Sequence, residues 1–126
     1  MRLLLDTHVF LWWCADDRRL ADLERRAIRD GTNDVFLSAA SVWEMGIKQS
    51  LGRLDLPEPP SSVVGRLGIS RLPVTFEHAE ATFELPPLHR DPFDRLLVAQ
   101  ARIEGLTLVT RDPLIRSYSG VAFLPA

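Results

Sequence analysis

Four acidic residues stand near the junctions of strand-like and helix-like segments: Asp6 directly after RLLL, Glu44 one turn into the helix-like SAASVWEMGIKQSLG, Asp94 in the first turn of the helix-like HRDPFDRLLVAQA that precedes LTLVT, and Asp112 two residues after LTLVT. Carboxylates brought together repel one another, and the natural compensations are protonation or a bound cation. A donor set of Asp and Glu oxygens, with no cysteine and no required histidine, selects a hard ion, so Mg2+ or Mn2+ is expected where Zn2+ would recruit nitrogen or sulfur. Such ions keep several waters and accept phosphate oxygens, which makes a phosphodiester the natural substrate and ion-assisted hydrolysis the natural chemistry. Thr7 and Thr110 flank two of the acids, where their hydroxyls can hold a carboxylate or a metal-bound water in place.

Each acid also has a plainer reading. Glu44 completes SVWE behind Ser41, the pattern of a capping box. Asp91, before Pro92, has the sequence of a helix N-cap and is the alternative to Asp94 within DPFD. Asp112 before Pro113 can cap in the same way, and Asp94 at a third helical position can serve the helix dipole. Asp6 differs, because a carboxylate closing an aliphatic strand is costly to bury without partners. Of the histidines, His8 can approach the site from the segment after Asp6, while His78 and His89 fall on a helix and a loop; none shows metal-ligand spacing. Trp12, Trp13 and Trp43 suit a core or a subunit face better than base stacking.

The elements that must position these groups alternate along the chain. RLLLD reads as a buried strand, THVFLWWC as an apolar turn, and DDRRLADLERRAIRDG as a helix stopped by Gly31. DVFLS is a second strand and SAASVWEMGIKQSLG a helix closed by Gly52. Prolines 57, 59 and 60 make residues 53–61 a turn region, followed by a short helix in SSVVGRLG, a strand in SRLPV, and a helix in FEHAEATFEL that ends before Pro86 and Pro87. HRDPFDRLLVAQARIEG is a helix with Asp91 as cap, Pro92 first and Gly105 past its end. LTLVT is a strand, RDPLIRS a capped turn and VAFLP a final edge strand. This alternation predicts an α/β fold, a three-layer α/β/α sandwich around a central parallel sheet. Functional groups then collect beyond the carboxyl ends of the strands, which is where all four acids fall.

With 126 residues the chain suits one compact domain over 1–126, and 46% hydrophobic with 25% charged residues excludes a disordered chain. Its longest apolar run, VFLWWCA, is far short of the roughly 18 residues of a membrane span, and no basic segment leads an apolar one at the N-terminus, so a cytoplasmic protein with no membrane contact is expected. Cys14 is alone, which excludes an internal disulfide and a thiolate metal site. A net charge of -2 means that a nucleic acid must be held by local arginines, with Arg53, Arg90, Arg95 and Arg111 as the surface candidates.

Taken in order, RLLLDTHVFLWW, SAASVWEMGIKQSLGRL, HRDPFDRLLVAQA and LTLVTRD resemble the successive motifs of PIN-domain proteins, especially the VapC-type toxins of bacterial toxin-antitoxin pairs, over nearly the whole chain. The resemblance implies a PIN-like three-layer fold, Mg2+- or Mn2+-dependent endoribonuclease activity on an RNA substrate, a homodimer, and inhibition by a cognate antitoxin. It places the family's acids on Asp6, Glu44, Asp94 and Asp112, as catalytic and metal-binding residues, and the small hydroxyl residue before the last acid on Thr110. It also implies a groove beside the acids for the antitoxin's C-terminal segment, with Trp12, Trp13, Trp43 and Met45 as candidates for the apolar surfaces, and an antitoxin arginine that competes with the metal. A phosphoacceptor receiver domain fits less well, since SRLPV lacks its nucleophilic acid and Lys48 is the one lysine; a haloacid-dehalogenase-like phosphatase would need an acid where His8 stands. A PIN scaffold that binds protein or RNA without cutting it remains the other alternative.

Overall fold

The computed structural model describes residues 1–126. Five short strands, β1 (Arg2–Leu5), β2 (Asp34–Ser38), β3 (Ser70–Leu72), β4 (Thr107–Val109) and β5 (Ala122–Leu124), form one sheet in the order β3-β2-β1-β4-β5. Every pairing is parallel, with Leu4 facing Phe36 on one side and Leu108 on the other. Six α-helices accompany it: α1 (Thr7–Ala15), α2 (Asp22–Arg29), α3 (Ala39–Ser50), α4 (Pro60–Leu67), α5 (Phe76–Ala81) and α6 (Pro92–Glu104).

A parallel sheet covered on both faces needs strands that are apolar throughout, and RLLL meets this by sending alternate leucines to opposite layers. Leu3 and Leu5 join Val35, Leu37 and Val109 under Val9, Phe10, Ile28, Met45, Val63 and Val64 of α1 to α4. Leu4 joins Leu72 and Leu108 under Leu97, Val98, Ala99 and Ala101 of α6. The two clusters are the two seams of the expected α/β/α sandwich. No helix is long and apolar enough to cross a membrane.

Local chemistry explains the helix ends. Asp91 caps α6 by accepting the N–H groups of Phe93 and Asp94, Pro92 opens it, and Gly105 closes it at φ 65°, a left-handed conformation that favours glycine. Two expectations need correction. THVFLWWC is part of a nine-residue helix, α1, whose apolar residues lie all round and so hide their period. The helix expected from Asp16 to Gly31 spans Asp22–Arg29 alone. Asp16 ends α1 in the left-handed region, and DDRRL is a turn in which Asp17 accepts from Arg19 while Arg25 donates to the Leu20 and Asp17 carbonyls.

Candidate active site

In an open parallel sheet, ligands bind at the carboxyl ends of the strands where the chain's direction of travel across the sheet reverses. From β1 the chain moves to β2 and β3 on one side, then crosses to β4 and β5 on the other, so the reversal lies between β1 and β4. Asp6 closes β1 and Thr110 with Asp112 follow β4, which puts them at this point from opposite ends of the sequence.

Asp6 is 4% exposed and is the N-cap of α1. One carboxylate oxygen accepts the Val9 N–H at 2.8 Å and the other accepts the Thr110 hydroxyl. Burial drives its pKa above the ordinary carboxylate value, Thr110, Val9 and His8 oppose that rise, and the negative charge of Asp112 adds to it. The Thr110 hydroxyl in turn accepts the Asp112 N–H at 3.1 Å, so one fully buried side chain ties the first acid to the last.

Glu44 is equally buried. Thr7 donates to its Oε1 at 2.7 Å and has Ser41 Oγ 2.9 Å away, while Lys48 pairs with its Oε2 at 2.8 Å. The capping-box alternative fails here, because α3 begins one turn earlier with Ser38 as its cap, accepting the Ala40 N–H. Glu44 is thus free to face Thr7 and the switch point.

Asp94 sits in the first turn of α6 with its side chain 17% exposed. Its pKa is pushed up to about 7, chiefly by burial, with Asp91, Glu44 and Asp6 adding repulsion and His89 alone pulling it down. His89 Nε2 lies 3.0 Å from Asp94 Oδ2 and 3.3 Å from Asp112 Oδ2. Asp112 also accepts the Leu114 N–H at 2.8 Å, so its capping role and its place at the site coexist. Asp91 spends one oxygen on the α6 cap. The donors are buried carboxylate oxygens that also repel one another, which fits a hard divalent cation: positive charge there would offset the burial and the repulsion that raise Asp94 and Asp6.

Several groups were not singled out from sequence. His89 bridges two of the acids although it precedes Asp91 by only two residues and shows no ligand spacing. Lys48 is one helical turn beyond Glu44, a spacing that does signal an ion pair. Two of the four candidate arginines have structural work instead: Arg95 donates to the carbonyls of Thr82, Leu85 and Pro86 and to Tyr118 Oη, and Arg111 pairs with Glu24, which is 1% exposed. Arg53 and Arg90 stay exposed without a partner for their guanidinium groups. Met45 is fully buried and cannot offer a docking surface, whereas Trp43 is 66% exposed and meets Phe93 edge-on at 5.3 Å. Trp12 and Trp13 are half-buried beneath Arg19 and Arg29.

A wholly parallel three-layer sandwich that gathers acids from β1, α3, α6 and the β4 loop at its switch point defines an α/β protein with an acidic site suited to a hard cation. The chain belongs to the PIN-domain family: the family model described as PIN domain matches residues 3–121. It is similar to ribonuclease VapC22 of Mycobacterium tuberculosis, 32% identical over 118 residues that cover 91% of this chain and 90% of that one. Among solved structures, VapBC2 of Rickettsia felis, bound to a promoter DNA fragment, superposes with a TM-score of 0.70 at 16% identity, covering 98% of this chain and 97% of that one. DNA-bound VapBC of Salmonella typhimurium gives 0.65 at 17% identity over 98% and 96%. At these identities the structural matches speak for the fold, and the fold expected from the motifs is the fold observed.

Proposed function

We propose that this chain is a metal-dependent endoribonuclease acting as the toxin of a toxin-antitoxin pair. The observation that carries the reading is the convergence of Asp6, Glu44, Asp94 and Asp112, from four separate elements, at the switch point of the sheet. The similarity to ribonuclease VapC22 supports the choice of RNA as substrate.

In this reading the four acids hold Mg2+ or Mn2+, which when bound supplies Lewis acidity to the scissile phosphate and lowers the pKa of a coordinated water. The chain's own part is placement. Thr110 and the Val9 N–H hold Asp6 in orientation, and Thr7 with Lys48 does the same for Glu44. Asp94 keeps one carboxylate oxygen free of hydrogen bonds, open to a cation. Arg90, exposed beside His89 and Asp91, and Arg53 are available for phosphate contacts, which position a nucleic acid without reading its bases.

The partners follow from the same family reading: a cognate antitoxin, a homodimer and a cytoplasmic setting, with residues 1–126 acting as one domain. A cavity of about 290 Å³ between α1, α2 and α4, lined by Phe10, Trp13, Leu56 and Val63 and rimmed by Arg29 and Arg66, suits an antitoxin's apolar segment; it touches none of the four acids and so differs from the groove beside them that the resemblance implies, while exposed Trp43 suits a face between copies. The test is cleavage of structured RNA by purified protein, with and without Mg2+ or Mn2+, for wild type, Asp6→Asn and Asp94→Asn. Cleavage that needs the metal and falls by roughly a hundredfold or more in both variants is expected, as for loss of a group acting on transition-state charge. Equal behaviour of all three proteins, or cleavage indifferent to chelation, would refute it.

A further inference from the structure

The tightest grouping of ligating atoms in the molecule is not purely acidic. His89, Asp94 and Asp112 each offer one ligating atom, all within 4.8 Å of one another. An imidazole between two carboxylates has the composition of a cation's ligand set, and a nitrogen ligand would shift the site away from Mg2+. The other ring nitrogen decides the matter. His89 Nδ1 accepts the backbone N–H of Asp91 at 3.1 Å. A neutral imidazole carries one N–H and one lone pair, so a ring that accepts at Nδ1 keeps its proton at Nε2. Nε2 then has no lone pair for a cation and meets Asp94 Oδ2 and Asp112 Oδ2 as a donor.

The ring is also held against turning over. The His89 N–H donates to Tyr118 Oη at 3.0 Å, and that hydroxyl donates to the Pro86 carbonyl at 3.0 Å. Arg95 reaches the same hydroxyl at 3.1 Å while binding three carbonyls of the segment leading to His89. Turning the ring over would set carbon against the Asp91 N–H and against both carboxylates at once, losing three polar contacts of a side chain that is 11% exposed.

We propose that His89 is a positioning residue and not a metal ligand: its Nε2–H is shared between Asp94 and Asp112, tethering the first turn of α6 to the loop after β4, so that a cation at this site meets oxygen alone. The inference rests on the metal-site reading above and deepens it. Asp94 Oδ1, which accepts no hydrogen bond, is left for the ion.

Two measurements on the whole chain test this. In metal-free and Mg2+-loaded protein, long-range nitrogen-proton NMR of the histidine rings should show His89 as the Nε2–H tautomer in both. With Mn2+ as probe, pulsed EPR should show no directly bonded nitrogen, His89→Gln, which keeps an N–H at a similar reach, should retain most of the wild-type Mn2+ affinity, and His89→Ala should lose about 10- to 100-fold. A directly bonded nitrogen that disappears in His89→Gln would overturn the proposal, as would unchanged Mn2+ affinity in His89→Ala or an Nδ1–H tautomer in wild type. The tautomer is read on wild type and so survives a variant that fails to fold. If wild type bound no Mn2+ at all, the metal-site reading would fail by itself, while an Nε2–H ring in the metal-free protein would still support the tether.

Discussion

Replacing Asp94 by Asn separates what this residue does for the fold from what it does for a cation. In the unfolded chain its carboxyl ionises near 3.8, whereas in the folded protein burial and the charges of Asp91, Glu44 and Asp6 raise the value to about 7. Between those two values the folded state binds more protons than the unfolded one, so the metal-free protein loses stability as pH rises from about 4 to 7, and the loss is complete above that. Roughly three units at 1.36 kcal/mol each set a ceiling of about 4 kcal/mol, and partial solvent access reduces it to about 2 kcal/mol. Asn carries no charge at any pH. In EDTA at pH 8, urea denaturation should therefore find Asp94→Asn more stable than wild type by about 2 kcal/mol, with the gap shrinking to about 0.5 kcal/mol at pH 4.5. Adding Mg2+ should then stabilise wild type and leave the variant unmoved. A variant less stable than wild type at pH 8, or a gap that ignores pH, would refute the argument that crowding and burial govern this carboxylate.

Thr110→Val keeps the shape of a fully buried side chain but strips the hydroxyl from Asp6 and from the Asp112 N–H, so chemical denaturation should show a loss of about 2 to 3 kcal/mol that Thr110→Ser does not. Arg111→Ala leaves the Glu24 carboxylate buried without its cation, and a cost of about 3 to 5 kcal/mol is expected by the same method, largely recovered in Glu24→Gln/Arg111→Ala; a cost under about 1 kcal/mol would mean that the pair behaves like an exposed one.

The architecture was legible because its signals are local. RLLL and LTLV announce buried parallel strands, and Asp91, Pro92 and Gly105 mark the ends of α6 by their own conformational limits. The places of Asp6, Asp94 and Asp112 were legible because each follows or opens such an element, whereas Glu44 lies in the second turn of α3. What stayed hidden depends on partners distant in sequence. His89 gains its place through Asp112, 23 residues on, and through a Tyr118 hydroxyl 29 residues on, and neither distance leaves a spacing to recognise. Arg95 and Arg111 resembled free surface cations because nothing near them in sequence shows that three carbonyls and a buried glutamate will claim them. α1 was obscured in the opposite way: an apolar surface covered partly by arginines over Trp12 and Trp13 shows no polar face from which a helical period can be read.

The hydroxyl that links Thr110 to Asp6 spans 104 residues of chain. Asp6 closes β1, yet β4, its neighbour in the sheet, comes after β2 and β3 along the chain. Until β4 docks, β1 has one free edge, Asp6 lacks the hydroxyl that orients it, and neither Asp94 nor Asp112 has reached it. The acid that closes β1 and the acids of α6 and the β4 loop therefore cannot come together until β4 has taken its place beside β1, so the site is assembled late in the folding of the sheet.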